Sequence, residues 1–176
     1  MTTKALVVVT DGAEEMETVI TIDVTLAGFN SDGPVKCSRN VVILPDRKWS
    51  EIDPNSFDAF ILPGGLNAAK TFANSKEIGE TLKQYEQSGK LIAVICASPI
   101  ALAKHSIGLG RRITSHPSVS GEFTNQFKYS EDRVVNDGNL ITSRGPGTAF
   151  EFALEIVRKL KGESKVEQII SPMILK

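Results

Sequence analysis

The sequence predicts a single α/β domain in which helices cover both faces of a mainly parallel sheet. Apolar runs typical of buried strands, such as residues 5–9 and 91–95, alternate with stretches of helical spacing. The 176-residue length, with 41% hydrophobic and 23% charged residues, is that of an ordinary globular domain. We therefore expect residues 1–176 to form one domain with a sizeable core.

The first half of the chain shows an opening β-α-β pattern. Residues 5–9 form an apolar strand-like run, residues 14–24 have helical spacing, and a β-rich region follows that includes residues 41–44. Residues 58–62 then predict a buried strand that ends at Pro63-Gly64-Gly65, and the following helix is expected at 75–87. Gly89 suits the C-terminal end of that helix.

The second half continues this alternation. The apolar run at 91–95 ends at Cys96, after which residues 97–103 have helical spacing, and a short strand is expected at 113–114. A hairpin between 133–135 and 140–142 is indicated by Asp-Gly in the intervening turn. Apolar spacing predicts the last two helices at 148–160 and 166–170.

Composition excludes several classes of protein. A net charge of -1 with scattered Lys and Arg gives no broad basic field, which argues against direct nucleic-acid binding. Two cysteines, Cys37 and Cys96, are too few for a disulfide scaffold, and no Cys/His cluster has metal-ligand spacing. Residues 1–4 lack signal-peptide character, and no apolar run is long enough for a bilayer. We expect a cytoplasmic protein that does not bind membranes, with the nucleus or mitochondrion as alternatives.

Cys96 is the leading candidate for chemistry because it lies on a predicted strand-to-helix turn. Unpaired N–H groups and the positive end of the helix dipole favour a thiolate there. The carboxyl ends of strands in an open α/β sheet are also where such folds bind ligands. The alternative is that Cys96 packs as a small buried hydrophobe.

Three further regions could supply partners for the thiol. The acids Glu14, Glu15 and Glu17 occupy the first turn of a predicted helix, where capping is the default explanation. Pro63-Gly64-Gly65 leaves N–H groups free for an oxyanion, or is simply a turn. His116 follows a short strand and is either a site residue or a hydrogen-bonded loop histidine, whereas His105 is expected to be a favourable helix C-terminal charge.

Several motifs fall in the order found in a known family. They are GAEEMET from Gly12, LPGG from Leu62, AVICASP from Ala93, His116-Pro117, YSEDR from Tyr129 and TSRGPGTAFE from Thr142. Together they resemble the DJ-1 branch of the DJ-1/PfpI superfamily over almost the whole chain. The resemblance implies a flavodoxin-like sandwich, a homodimer and a reactive cysteine on a strained elbow, with no cofactor and no metal.

The resemblance also implies roles for individual residues. Cys96 matches the family's nucleophile and oxidation-sensitive thiol, and Glu17 matches the acid that hydrogen-bonds to it. Gly64 and Gly65, with the elbow backbone at Ala97, match backbone donors beside the thiol, and His116 matches a histidine of the same pocket. Two further matches lie outside the pocket: Arg39 to an arginine near the dimer contact, and Cys37 to a secondary cysteine that is structural or incidentally modified.

The chain departs from the family pattern between Asp23-Val24 and the following Thr25. Members of the family carry extra residues there, and a parallel crossover needs roughly a dozen residues or more including its helix. We therefore expect an unusually short first helix, or residues missing at this place. The shortening bears on the position of Glu17 and on the stability of the dimer.

The activity implied by the resemblance is that of a glyoxalase or deglycase. The substrates would be small reactive aldehydes such as methylglyoxal, or glycated adducts of amines and thiols, in the context of oxidative stress. The alternative is a redox sensor or chaperone that works through oxidation of Cys96 to the sulfinate. Cysteine peptidase activity is disfavoured, because distant members with that assignment have histidine directly after the cysteine and here the residue is Ala97.

Overall fold

The structure is a computed structural model that describes residues 3–19, 24–31, 33–123 and 125–174. Its strands are β1 Ala5–Val9, β2 Val24–Gly28, β3 Val35–Lys36, β4 Val42–Ile43, β5 Arg47–Lys48, β6 Ala59–Leu62, β7 Leu91–Ile95, β8 Arg112–Ile113, β9 Lys128–Tyr129, β10 Val134–Asp137 and β11 Leu140–Ser143. Its α-helices are α1 Glu15–Val19, α2 Leu66–Asn74, α3 Lys76–Ser88, α4 Pro99–His105, α5 Ala149–Lys161 and α6 Glu163–Met173. Short 3₁₀ segments lie at 49–51, 54–56, 117–123 and 146–148.

One sheet of seven strands organises the chain, in the order β10-β11-β7-β6-β1-β2-β5. All of its neighbouring strands run parallel except β10 and β11, which form an antiparallel pair. α2, α3 and α4 pack together with α3 against β7, whereas α5 packs on α6 and against β7, β10 and β11. The predicted α/β fold with a mainly parallel sheet is confirmed.

The core lies along the central strands. β1 and β7 are buried at every position, as expected for parallel strands that are covered on both faces. Because β1, β6 and β7 are parallel neighbours, the residues that follow them meet at one edge of the sheet. This edge brings together the turns after Val9, Leu62 and Ile95.

Several predicted elements agree with the structure to within a few residues. α3 begins after Ser75, whose Oγ accepts the N–H of Ile78, and ends at Gly89 in the left-handed conformation. The hairpin turn is Gly138-Asn139, because Asp137 still pairs with Leu140. Val42–Ile43 is a strand, but it pairs with β3 in a separate two-stranded sheet.

The first crossover differs from the prediction. The helix expected at 14–24 is described only as Glu15–Val19, and Val24 already pairs with Ala5 as the first residue of β2. Residues 20–23 of that expectation lie outside the described residues. A fourteen-residue connection, 10–23, must return the chain to the start of the sheet, which leaves room for only a short helix. The described part of the helix agrees with the expectation of a short first helix, and the alternative of residues missing at this place stays open.

Helix α2 was not predicted from the sequence. It buries the small residues Ala68, Ala69 and Ala73 together with Phe72. Asn67, Thr71 and Asn74 interrupt the apolar pattern, so packing against α4 rather than intrinsic preference stabilises this helix. Among the described residues, no helix is both long and apolar enough to cross a lipid bilayer.

Candidate active site

Cys96 lies in a strained turn between β7 and α4. Its φ angle is +65°, in the left-handed region that residues other than glycine rarely adopt. The Cys96 N–H donates to Ser143 O at 3.0 Å, and the Cys96 carbonyl accepts the His116 N–H at 2.8 Å. Backbone strain persists only where its surroundings impose it, and it is concentrated at functional sites. The side chain is 9% exposed, so the thiol is largely withdrawn from water.

Glu17 contacts the thiol from helix α1. Its carboxyl group hydrogen-bonds the Cys96 side chain, and its Oε2 accepts the Gly64 N–H at 2.7 Å. Glu17 is only 2% exposed. The structure therefore brings Cys96, Glu17 and Gly64 together, although the carboxylate comes from a different crossover than the thiol.

The other acids of the first turn hold α1 in place. Glu14 Oε2 accepts the Glu17 N–H at 3.0 Å, which is the hydrogen bond of a helix cap. The Glu14 N–H donates to Gly64 O at 3.0 Å, and the Glu14 carboxylate pairs with Arg39. Glu15 Oε2 accepts the hydroxyl of Ser38 at 2.9 Å. The short α1 thus positions Glu17 through several contacts, and capping by a first-turn acid is confirmed for Glu14.

Burial changes the acidity of both partners. Burial raises the pKa of Glu17 from 4.5 to about 7, with a smaller contribution from the charge of Glu14 and against the hydrogen bond from Gly64. Burial and the charge of Glu17 raise the pKa of the Cys96 thiol to about 12, although N–H groups of Gly65 and Ala97 act in the opposite direction. Ionisation of either group disfavours that of the other, so the pair favours a single negative charge.

The N–H groups of the elbow lower the pKa of the Cys96 thiol, as expected, but burial and the charge of Glu17 raise it by more. α4 begins only at Pro99, and desolvation outweighs the two N–H contacts with the sulfur. Ionisation of the thiol instead requires that Glu17 hold its proton, because two adjacent buried negative charges repel each other. The chemically useful unit is the Cys96–Glu17 pair rather than a free thiolate.

Gly64 and Gly65 let the turn after β6 approach Cys96 and Glu17 closely. A Cβ on Gly64 would lie 2.3 Å from Cys96 Cβ and 2.4 Å from Glu17 Oε2. The Gly64 N–H is used by Glu17, whereas the N–H groups of Gly65 and Ala97 hydrogen-bond the sulfur. The two glycines therefore have different contacts, and their proposed role in oxyanion support stays a prediction.

Gly65→Ala is expected to lower the free energy of unfolding by at least about 2 kcal/mol. Gly65 has φ +92°, and a Cβ there would meet the carbonyl oxygen of Gly12 at 2.0 Å. Gly147→Ala is the control, because nothing lies within 4 Å of its added Cβ. Urea unfolding measures both variants, and equal stability of the two would contradict this account of the loop.

The two histidines have different locations. His116 is half-buried beside the elbow, and a Cβ on Gly145 would lie 3.5 Å from its ring and 4.0 Å from Glu17 Oε1. Its Nδ1 accepts the Ser118 N–H at 3.2 Å, which assigns the proton of the neutral ring to Nε2. His105 ends α4, away from the thiol, and its Nε2 lies 3.0 Å from Phe72 O.

A network of hydroxyl groups, which sequence reasoning missed, supports the loop after β11 at residues 144–148. Thr148 Oγ1 accepts N–H groups from Arg144 at 3.2 Å and Gly145 at 3.1 Å, and it lies 2.7 Å from Ser143 Oγ. The carbonyl of Ser143 holds the Cys96 N–H. The signal in the sequence was the pair of hydroxyl residues that flank Gly145-Pro146-Gly147.

Arg39 and Cys37 lie outside this pair. Arg39 contributes the ion pair with Glu14, while its side chain stays 65% exposed. Cys37 is buried, and burial, with the charges of Glu15, Glu14 and Asp11, raises the pKa of its thiol. These features disfavour Cys37 as a nucleophile.

The fold and the site together define a class: an α/β sandwich with a cysteine on a strand-to-helix elbow, hydrogen-bonded to a buried carboxyl group. The chain belongs to the DJ-1/PfpI family, because the sequence model of that family matches residues 3–159. The resemblance drawn from the motifs is thereby confirmed.

Individual relatives are similar over nearly their whole length. Protein dj-1beta of Drosophila melanogaster is 45% identical over 184 aligned residues, which cover 99% of this chain and 98% of the relative. The glutathione-independent glyoxalase DJR-1.2 of Caenorhabditis elegans is 40% identical, with 94% of this chain and 92% of the relative covered. The crystal structure of Drosophila melanogaster DJ-1beta superposes with a TM-score of 0.96 at 44% identity, and both chains are covered completely.

Proposed function

We propose that the protein is a cysteine-dependent glyoxalase that needs no cofactor and converts methylglyoxal-type dicarbonyls to hydroxy acids. The observation that carries this proposal is the hydrogen bond between Cys96 and Glu17, which joins a nucleophile to a group that can move protons. The similarity to a relative named as a glutathione-independent glyoxalase supports the same activity.

The first step forms a bond between sulfur and the aldehyde carbon. The Glu17 carboxylate accepts the thiol proton as Cys96 attacks, and the electron pair of the carbonyl bond moves to oxygen. N–H groups of Gly65 and Ala97, which already face the sulfur, support this alkoxide. Glu17 then returns the proton to the alkoxide, and the product is a neutral hemithioacetal.

The second step moves a hydrogen between the two carbons of the dicarbonyl. The Glu17 carboxylate removes the proton on the former aldehyde carbon, and the electrons pass to the neighbouring ketone oxygen to give an enediolate. Glu17 then protonates the neighbouring carbon, while the hydroxyl proton on the former aldehyde carbon passes to the enediolate oxygen and leaves a carbonyl group beside the sulfur. The result is a lactoyl thioester, formed without an external oxidant because one carbon is oxidised while the other is reduced. Water cleaves the thioester, releases lactate and restores the thiol.

We assign auxiliary roles to the remaining residues of the pocket. Gly64 orients Glu17 through its N–H, and His116 offers an Nε2–H beside the loop that approaches the carboxylate. A deglycase activity on early adducts of amines and thiols would use the same attack on a carbonyl-derived carbon. Lactate formation from methylglyoxal, compared with hydrolysis of a preformed adduct, distinguishes the two substrates.

A second candidate function is a redox sensor or chaperone that acts through Cys96. The observation that favours it is the carboxyl group beside a sulfur that is not completely buried, because protonated Glu17 can donate to a sulfinate. Each of two peroxide molecules transfers one oxygen atom to the sulfur and leaves as water. The sulfur is oxidised first to the sulfenic acid and then to the sulfinate.

Mild peroxide is expected to add two oxygen atoms at Cys96 and none at Cys37. Burial raises the pKa of both thiols, but N–H groups of Gly65 and Ala97 contact the Cys96 sulfur and lower its pKa, whereas the charges around Cys37 raise the pKa of that thiol further. Intact mass and peptide mapping of Cys96→Ala and Cys37→Ala locate the oxygen atoms. Selective oxidation without lactate formation would favour the sensor over the enzyme, and preferential oxidation of Cys37 would contradict the assignment.

We also propose that the protein is a cytoplasmic homodimer formed by the one domain of residues 1–176. Exposed apolar side chains lie on α1 and on the β3–β4 hairpin, namely Met16, Val41, Val42 and Leu44. The hydrogen bond from Ser38 to Glu15 brings these two elements together. Clustered exposed apolar residues are typical of protein interfaces.

Val42→Asp is expected to convert the dimer to a monomer, because Val42 is 60% exposed and its replacement places a charge in the apolar contact. Light scattering on a sizing column measures the mass. Leu109→Asp is the control, since Leu109 is 55% exposed but lies in the loop after α4. A monomeric parent protein, or loss of the dimer in the control alone, would contradict the interface.

A further inference from the structure

The amino end of β2 is less covered than its position in the sheet predicts. β2 lies between β1 and β5, yet Val24, Thr25 and Leu26 are only half-buried, whereas all of β1 is buried. Strands of parallel sheets are normally covered on both faces. The described part of α1 remains near the opposite edge, where Glu17 contacts Gly64. The start of β2 is therefore partly accessible.

An apolar groove of about 420 Å³ lies at this place. Four residues of α5 at helical spacing form one wall, and the starts of the first two strands and a residue of α6 complete the apolar lining: Ala153, Ile156, Val157, Leu160, Ala5, Val24 and Ile169. The volume falls within the range of roughly 300–1,000 Å³ that is usual for small-molecule sites. The groove is large enough for an aliphatic chain.

The rim of the groove is basic. Lys161 and Lys165 line it, and among the described residues that line the groove none is acidic. Within residues 3–19, 24–31, 33–123 and 125–174, neither lysine forms a salt bridge. A ligand with an apolar chain and a single negative head would therefore place each part against a matching surface.

We propose that this groove binds a medium-chain fatty acid, with its alkyl chain against α5 and its carboxylate at Lys161 and Lys165. The site is separate from the thiol, because Ala5 and Val24 are the first residues of their strands and Cys96 follows the last residue of β7. Binding is therefore independent of the glyoxalase chemistry and stands whether or not that activity is present.

Isothermal titration calorimetry of the full chain with hexanoate, octanoate and decanoate, each below its micelle concentration, tests the proposal. Affinity is expected to rise about 16-fold for each added pair of CH₂ groups, as the burial of apolar surface predicts. Octyltrimethylammonium, which has a positive head, is expected to bind at least about fivefold more weakly than octanoate. Absence of saturable binding, or equal affinity for the cation, would overturn the proposal.

Substitutions locate the ligand. Ala153→Trp fills the groove and is expected to abolish decanoate binding, whereas Leu154→Trp on the neighbouring face of α5 is expected to leave it unchanged. Leu160→Glu places a negative charge in the same groove and provides an independent block. Circular dichroism confirms that each variant is folded, and binding unaffected by both Ala153→Trp and Leu160→Glu would overturn the location.

The role of the lysines is tested separately. The double variant Lys161→Ala/Lys165→Ala is expected to weaken octanoate binding about fivefold and to leave octanol binding unchanged, because exposed charges contribute modestly. Lys104→Ala/Lys159→Ala removes two lysines that do not line the groove and serves as the matched control. An equal loss of octanoate affinity in both double variants would overturn the specific contact with the carboxylate.

Discussion

Cys96→Ala is expected to reduce lactate formation from methylglyoxal by at least about 1,000-fold, since loss of a nucleophile removes the covalent route altogether. Alanine removes the sulfur while the neighbouring hydrogen bonds of the backbone to Ser143 and His116 remain available. The φ angle of +65° is strained for alanine as it is for cysteine, so a large change in stability is not expected. Initial rates with purified protein measure the effect.

Cys37→Ala is the matched control, because it removes the other buried thiol at a position outside the pair. We expect this variant to retain activity close to that of the parent protein. Thermal melting of both variants shows that a lost rate reflects chemistry rather than unfolding. Turnover that survives in Cys96→Ala would exclude the proposed mechanism, and equal losses in the two variants would indicate a structural effect.

The sequence was sufficient to predict the frame of the site. The apolar runs of β1, β6 and β7 are each followed by turn residues, and parallel strands place those turns at one edge. Cys96 could be found in this way because its position at the end of a strand is a local property. The Asp-Gly signal of the final hairpin is also local, and the structure shifts the turn by only one residue, to Gly138-Asn139.

The partner of the thiol could not be found by the same reasoning. Glu17 is one of three acids in a first turn, and nothing in their spacing separates the cap Glu14 from the site residue Glu17. The hydrogen bond from Gly64 to Glu17 joins residues 47 positions apart, so only the resemblance to a family assigned the role in advance. Tertiary packing made the distinction.

The acidity of the pair depends even more on packing. A helix N-terminus is visible in a sequence, and it favours a thiolate. The extent of burial is not visible, and at Cys96 burial has the larger effect on the pKa. The same cause explains why Glu17 can be both protonated and ionised near neutral pH, which an exposed glutamate could not.

Glu17→Gln is expected to lower kcat about 100-fold to 10,000-fold, because the amide cannot accept or return a proton. Glutamine keeps an oxygen for the Gly64 N–H and a donor for the sulfur, so the geometry of the pair is preserved. Glu15→Gln is the control in the same helix, since Glu15 bonds Ser38 rather than the thiol. If Glu17→Gln retained the turnover of the parent protein, Glu17 would be excluded as the proton shuttle.

The pH dependence separates this role from a structural one. With a Glu17 pKa of about 7, kcat/KM of the parent protein should rise as pH increases through 7, and Glu17→Gln should lack this rise.

The stability of the protein should also depend on the titration of Glu17. A carboxyl group whose pKa is raised in the folded state binds more protons there than in the unfolded state, so its contribution to stability is complete below pH 4.5 and lost as pH rises through about 7. Over that interval the parent protein should lose about 3 kcal/mol relative to Glu17→Gln, measured by urea unfolding at each pH. A parallel stability profile for the two proteins would mean that Glu17 titrates like an exposed acid, and a pH–rate rise that persists in the variant would place the essential base elsewhere.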